Sequence, residues 1–483
     1  MFYRIQYILI IFSLSLVFTQ SNFNRLLGED IFYGDARSMA IGNTFITTGT
    51  TGNLVLSNPS KISSLENDFM IHAQFNGRFN NERKGIVVKD FFDDVITEAD
   101  FVFNQNTYYN SSFSMVLNRN LSDIMSFGFA YMQSPFLSFD YHYKEEVRGD
   151  SDATDNYIGS SDPLVGFQVL ESNGKTNLHS IGFSLGIDYL KNRTISFGFG
   201  FNKIDPFTIT DYCYVDTVNV TEDLSNLANL PHSYTFAWGI EPEKNHFLSY
   251  SFTIPLLKDL DVVYSYEEDI DISSANYNDY QISPYIGLPI LMDFNSNNQL
   301  VYQIVGLHYN KPEKNSIGIL YKPKSSNSLL ISFEAINKNK KHYLSEWYCE
   351  DIVGNQVNCD GSQEFSLLNN IIKEENLHEF KLGFEHFVRY GFPIRAGFHY
   401  IEQPFTFDAI SIFTMGTGKK FNTSIGAKGS VDFAINYKMN NYRYYDIFPV
   451  QTDVYDSVCS DDVKCNNVKE SQLSFLTTIK IGF

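Results

Sequence analysis

The chain is organised by a two-residue alternation of apolar with small or polar residues that returns many times along its length. Ile195, Phe197, Phe199 and Phe201 alternate with Ser196, Gly198, Gly200 and Asn202. His179, Ile181, Phe183, Leu185, Ile187 and Tyr189 alternate with Ser180, Gly182, Ser184, Gly186 and Asp188. A strand sends successive side chains to opposite faces, so each such stretch predicts a strand with one apolar and one polar face. The rhythm starts at Phe69, Ile71, Ala73 and Phe75 and ends the chain at Phe475, Thr477, Ile479, Ile481 and Phe483. Between them it recurs near 125–131, 246–254, 260–268, 299–309, 315–322, 327–336, 377–386, 394–401, 406–414 and 423–438, and more weakly near 111–117, 137–143 and 232–240. About 14 to 16 strands follow, too many for a sandwich and in the range of a large antiparallel barrel.

Two further patterns decide which way the strands face. Short connections (118–123, 191–194, 257–261, 310–316, 389–393) alternate with long ones (79–109, 143–176, 203–231, 270–298, 338–376, 439–470). Transmembrane barrels of the bacterial outer membrane have short turns on one side and long loops on the other. The apolar faces are almost free of charge. The polar faces are small and mixed, with Ser, Gly and Asn among charges such as Glu379, Lys381, Arg395, Lys428, Asp432 and Lys480. A soluble sandwich would crowd its outer face with Lys and Glu. The pattern therefore predicts lipid against the apolar face and a lumen behind the polar one. Inside the long loops, Phe91 to Val102 and Phe365 to Glu374 have roughly helical spacing and predict short helices. Residues 21–66 do not alternate; their Gly, Thr and small side chains predict a compact, partly helical segment.

Composition narrows the setting. Aromatics make up 16% of 483 residues, with 43 Phe and 31 Tyr but 2 Trp, which suits strands and interfacial girdles. The balance of 56 Asp+Glu against 36 Lys+Arg excludes a nucleic-acid partner, because phosphate contacts need a basic surface. Arg4 followed by the apolar run Ile8 to Phe18 reads as a secretory signal peptide, cleaved near residue 20. In an oxidising compartment, Cys349 with Cys359 and Cys459 with Cys465 would each close a small polar loop, leaving Cys213 over. No C-x-x-C or H-E-x-x-H occurs, so neither a metal nor a cofactor is expected.

Motifs for catalysis are weak. Gly182-Phe183-Ser184-Leu185-Gly186 matches a nucleophile elbow, but it lies inside continuous strand alternation, where a sharp strand-to-helix turn cannot form. The acidic run after Arg148-Gly149-Asp150 lacks the glycine and glutamate of a calcium loop. No Ser or Asp stands with a His in a convincing set, and the chain is not expected to be an enzyme. The closing strand, with Phe475, Ile479, Ile481 and Phe483 in alternation, resembles the terminal signature read by the outer-membrane barrel-assembly machinery.

The stretch GDARSMAIGNTFITTGTTGNLVLSNPSKI (34–62) carries a resemblance to a known group. It resembles the N-terminal pattern shared by the long-chain fatty-acid transporter (FadL/TodX-like) family and the related PorV/PorQ proteins. Gly34, Ala36, Arg37, Gly42, Asn58 and Pro59 match, while Ser60 and Ile62 stand where Ala and Leu or Met are usual. FPIRAGFHY and GSVDFAINYKM are similar to the final strands of the same group. The resemblance implies a signal peptide (1–20), an N-terminal plug folded into the lumen (21–66) and an all-β outer-membrane barrel of about 14 strands (67–483). It implies passive uptake of hydrophobic compounds, with entry from outside and sideways exit through the wall. The PorV branch implies the alternative, a component of type IX secretion or a surface-interaction barrel with secretion partners. The plug side chains Met39, Ile41, Phe45, Leu54, Val55 and Leu56 are the candidate lining of an apolar route for a hydrophobic small molecule, and Asn58 and Pro59 are expected to seat the plug.

Overall fold

The computed structural model describes residues 29–89, 95–138, 140–148, 164–190, 193–217, 234–240, 244–273, 292–294, 300–302, 308–323, 329–350, 356–357, 365–388, 392–403, 409–423, 426–444 and 466–483. The expected signal peptide, the acidic run after Arg148 and Cys359, Cys459 and Cys465 lie outside these residues.

Fourteen strands close into a ring. In chain order they are β1 (Phe69–Lys89), β2 (Val95–Ser122), β3 (Met125–Ser138), β4 (Lys175–Leu190), β5 (Arg193–Ile204), β6 (His246–Leu257) and β7 (Leu260–Glu267). There follow β8 (Glu313–Tyr321), β9 (Leu329–Glu350), β10 (Phe365–Phe387), β11 (Pro393–Ile401), β12 (Ile410–Asn422), β13 (Lys428–Tyr444) and β14 (Asn466–Gly482). Every strand pairs antiparallel with its neighbours in sequence, and β14 pairs with β1 from Gly482 opposite Met70 to Asn467 opposite Gly85. Closure pairs each strand with both neighbours, except where β3 leaves β2 beyond Gln133, so the backbone hydrogen bonds of the ring are satisfied within the wall, as a bilayer requires.

The polarity of the wall is the reverse of a soluble protein's. Phe197, Phe199 and Phe201 are exposed on β5, with Phe197 45% exposed, whereas Ser196 between the strands' inward neighbours is 3% exposed. The cross-strand register carries the outer apolar surface round the ring: Phe197 opposes Phe252, then Tyr264, Ile317, Ala335, Phe380 and Tyr400. Phe333, Leu382, Phe413, Phe433 and Ile479 extend it. A continuous apolar surface of this kind belongs in lipid. The inward faces bury Glu334, Glu379, Glu385, Arg395 and Asp432.

Several local expectations fail. Residues from Val95 onward are strand, not helix: Ile86, Val87 and Val88 of β1 oppose Ala99, Glu98 and Thr97. Phe365 to Glu374 likewise belongs to β10 and pairs with β9, with Leu367 opposite Trp347. Both stretches continue a barrel hairpin beyond the apolar zone, where partner strands satisfy the backbone while the one-sided apolar pattern has lapsed. The stretch near 299–309 is not a wall strand; Leu300–Tyr302 pairs with Met292–Phe294, and His308–Lys311 pairs with Ile270–Ser273. Tyr234–Ile240 belongs to a separate four-stranded sheet with Phe207–Thr217, Leu164–Asn173 and Tyr141–Arg148. Among the described residues no helix is long and apolar enough to cross a membrane, so the spanning elements are the strands.

Candidate functional site

Residues 31–64 cannot join the wall because they lack an alternating face. They fold instead as α1 (Ala36–Ala40), α2 (Phe45–Thr48), α3 (Leu54–Ser57) and a 3-10 helix (Pro59–Ser64). Asp35 caps α1, its side chain accepting from the Ser38 amide at 2.8 Å. Gly42 follows α1 at φ 71°, with its amide donating to Thr414 Oγ1 at 2.9 Å. A Cβ here would stand 2.3 Å from the Leu382 carbonyl oxygen, so both the turn and the contact require glycine. Pro59 opens the 3-10 helix, where a missing N–H costs nothing.

This segment touches inward-facing residues of strands around the ring. On the β3–β7 side the contacts are small and close. Ser184 Oγ, in the apparent elbow motif, donates to the Ser60 carbonyl and to Ser63 Oγ. Ser249 Oγ donates to the Val55 carbonyl at 2.8 Å, and Ser251 Oγ to Asn58 Oδ1 at 2.8 Å. Asn58 Nδ2 donates back to the Ile46 carbonyl at 2.6 Å, so this residue ties two helices to the wall. A Cβ on Gly198 would lie 2.1 Å from the Ser60 nitrogen, so the backbones of wall and segment nearly touch. On β1, Gln74 donates to the Gly34 carbonyl, and His72 accepts from the Gly52 amide.

On the β9–β14 side the contacts are ionic. Arg37 donates two hydrogen bonds to Glu385, at 2.7 and 3.0 Å. Arg395 donates to the same carboxylate at 2.7 Å and to Asp432 at 2.8 Å. Lys480 lies 3.4 Å from Asp432 and donates to Thr50 Oγ1 at 2.6 Å. Thr50 in turn donates to Asp35 through both its amide and its hydroxyl. Three carboxylates and three cations thus form one chain that begins and ends on the N-terminal segment. A second group sits one step outward: Glu379 binds Lys338 and accepts from His399, whose other ring nitrogen meets Asn43 Nδ2 at 3.1 Å. Thr47 donates to Glu334 through its amide at 2.8 Å.

Above the segment, toward the long connections, the lumen holds a cavity of about 340 Å³. Ile31, Phe32, Met39, Phe45, Ile46 and Leu56 give it an apolar floor. Its walls mix apolar side chains such as Ile336, Ile410 and Ile412 with charged ones: Arg78 on β1, Lys314 on β8, Lys338 and Lys340 on β9, Lys381 on β10 and Lys438 on β13, beside the carboxylates Glu267, Glu379 and Glu402. Of the six candidate lining residues, Met39, Phe45 and Leu56 face this cavity. Ile41 packs instead with Leu320 and Leu330, and Leu54 and Val55 pack with Ile62, Met70, Val116 and Ala130. Sequence reasoning missed Ile31, Phe32 and Ile46, which precede or interrupt the motif, and the lysines, which alternation places inward without saying how they cluster.

One stretch of wall is irregular. β3 pairs with β2 only as far as Gln133 opposite Phe113, although it continues along β4 to Ser138 opposite Lys175. Its register slips between Pro135 and Leu137, and Phe136, Leu137 and Ser138 are all buried in succession. Alternation is lost because the strand turns inward, onto Leu56, Leu178, Ile204 and Phe247. β2 from Ser112 back to Val95 is then paired with β1 alone among the described residues. Glu29–Asp30 pairs with the released edge of β3.

The closing strand ends on Phe483, which stacks on Phe69 at 6.0 Å between ring centres and exchanges backbone hydrogen bonds with it. Phe475 lies against Phe79 and Phe433, and Ile479 faces outward. Ile481 stands opposite Ile71.

No family model matches the sequence, and no curated protein matches it. Among solved structures, a Pseudomonas aeruginosa FadL homologue aligns with a TM-score of 0.51 at 10% identity, covering 94% of this chain and 99% of that one. The Pseudomonas putida toluene transporter TodX aligns with a TM-score of 0.48 at 10% identity, over 97% of this chain and 100% of that one. At such identity the likeness is one of fold: over nearly its whole length this chain is similar to the barrel of the FadL homologue.

Proposed function

We propose that this protein is an outer-membrane channel for passive uptake of hydrophobic small molecules, with the N-terminal segment acting as a lumenal plug. The observation that carries the reading is the cavity of about 340 Å³ on the long-connection side, closed below by Met39, Phe45, Leu56 and Phe32. That size suits a small amphiphile or a compact hydrocarbon, and an apolar floor across the lumen has no purpose for a water-filled porin. The inward turn of β3 supports a sideways exit. Beyond Gln133 β3 no longer pairs with β2, and the apolar cluster around Phe136 leads from Leu56 toward that break. The fold likeness to the FadL homologue, over nearly the whole chain, is in keeping with this reading. The secretion alternative has no corresponding observation among the described residues.

Equilibrium binding tests the reading. Purified full-length barrel in detergent should bind radiolabelled hexadecanol saturably, near one molecule per chain. Phe45→Arg, which puts a charge into the floor, should weaken binding at least tenfold while the folded barrel keeps its heat-modifiable gel mobility. Absence of saturable binding to hexadecanol and to other apolar probes, with co-purification of exported proteins, would refute it in favour of secretion.

A further inference from the structure

The inward face of β13 reads Asn436, Lys438, Asn440 at successive two-residue steps, and all three line the cavity. Steps of two residues on a strand rise about 6.8 Å, so the three side chains climb the cavity wall like rungs. Asn436 and Asn440 are 8% and 6% exposed, and no protein donor reaches the Oδ1 of either. Asn76, across β14 on β1, is 4% exposed and lines the same cavity with its Oδ1 also unpartnered. A buried amide oxygen without a donor costs about 1–3 kcal/mol, so three beside one cavity leave acceptors that a ligand's donor can satisfy once the amides turn toward it. Lys438 differs from the lysines opposite. Lys338 and Lys381 lie against Glu379 and Lys314 against Glu267, but no carboxylate of the described residues lies within ion-pairing distance of Lys438. Its neighbour across the strand pair is Gln472.

A purely apolar ligand leaves these groups unanswered, and a plain carboxylate answers only Lys438. We infer that the channel selects amphiphilic acids whose head also carries hydroxyl donors, the acid meeting Lys438 and the hydroxyls meeting the amide oxygens of Asn436, Asn440 or Asn76. The tail lies on the floor formed by Met39, Phe45 and Leu56. This rests on the channel reading above and adds the chemistry of the head group. A site built to pair a hydroxyl discriminates against the analogue that lacks it, because its own polar groups then stay unpaired.

The test uses full-length protein in detergent and three probes of equal chain length: 2-hydroxyhexadecanoate, hexadecanoate and hexadecanol. The hydroxy acid is expected to bind about tenfold more tightly than hexadecanoate, the effect of one hydrogen bond to a buried acceptor. The triple variant Asn76→Leu, Asn436→Leu, Asn440→Leu should bring the two acids to within twofold of each other and keep hexadecanol binding. Lys438→Met should weaken both acids at least fivefold and leave hexadecanol unchanged. Equal affinity of the two acids for the unaltered protein would overturn the inference while hexadecanol binding keeps the channel reading. Failure of all three probes to bind would overturn both. Because the first comparison needs no variant, a substitution that fails to fold leaves the inference exposed to refutation.

Discussion

The ionic chain between the N-terminal segment and the wall predicts an asymmetry between its two ends. Asp35, Glu385 and Asp432 face Arg37, Arg395 and Lys480, so the group is neutral. Arg37→Ala removes one cation, but Glu385 keeps Arg395 at 2.7 Å and stays paired. Glu385→Ala is worse, since it leaves Arg37 and Arg395 without the carboxylate between them. Glu385 and Arg395 are 2% and 4% exposed, so water does not replace the lost partner. Removing one member of a buried pair costs about 3–5 kcal/mol. We place Glu385→Ala in that range and Arg37→Ala below it, at about 1.5–3 kcal/mol, the worth of hydrogen bonds to a charged group. The double variant restores neutrality, with Asp35 and Asp432 facing Arg395 and Lys480, and should lose less than the sum of the two by about 1–3 kcal/mol.

The loss falls on the segment and not on the ring, whose fourteen strands keep their backbone pairing. Native-state hydrogen exchange of the amides in 36–48 therefore reads it, with a tenfold faster exchange for every 1.4 kcal/mol. Glu385→Ala should speed that exchange by about two orders of magnitude or more and leave the outward rows of β5 and β9 unchanged. Unaltered protection of 36–48, or strictly additive single effects, would show that the segment is not held by this charge group.

Three further outcomes are expected. Gly397→Val should displace the N-terminal segment, because a Cβ there would lie 2.1 Å from the Gly42 nitrogen; proteolysis between residues 36 and 64 and a raised single-channel conductance would report it. A disulfide between Ser112→Cys and Ser134→Cys, the next pair beyond the last β2–β3 partners, should block uptake while leaving hexadecanol binding intact. Uptake that survives complete cross-linking would rule out sideways exit at that place. Mass spectrometry of unreduced protein should find Cys349 linked to Cys359 and Cys459 to Cys465; free thiols at all four would remove the loop bridges from the account.

What was legible in the sequence follows from how local each feature is. The wall was readable because alternation is a property of neighbouring residues: Phe197 faces out and Ser196 in whatever lies beyond them. The outer halves of β1, β2, β9 and β10 were not, because the one-sided apolar pattern lapses there and only cross-strand pairing marks them as strand. Phe365 to Glu374 then resembles a helix as well as a strand. The interior was least legible, since its bonds join distant residues. Arg37 and Glu385 are 348 positions apart, and nothing near Glu385 distinguishes a carboxylate that binds the N-terminal segment from one that faces water. The glycines are the instructive exception. Gly198, Gly383 and Gly397 occupy inward positions on strands, where glycine weakens the element and an alternating pattern asks only for something polar. A barrel that merely enclosed water would gain nothing from them. Each instead admits backbone of the N-terminal segment, at Ser60, Ile41 and Gly42. An inward-facing glycine in an otherwise regular strand is thus the local trace of a non-local contact, and it marks the wall positions against which residues 41–42 and 60 are seated.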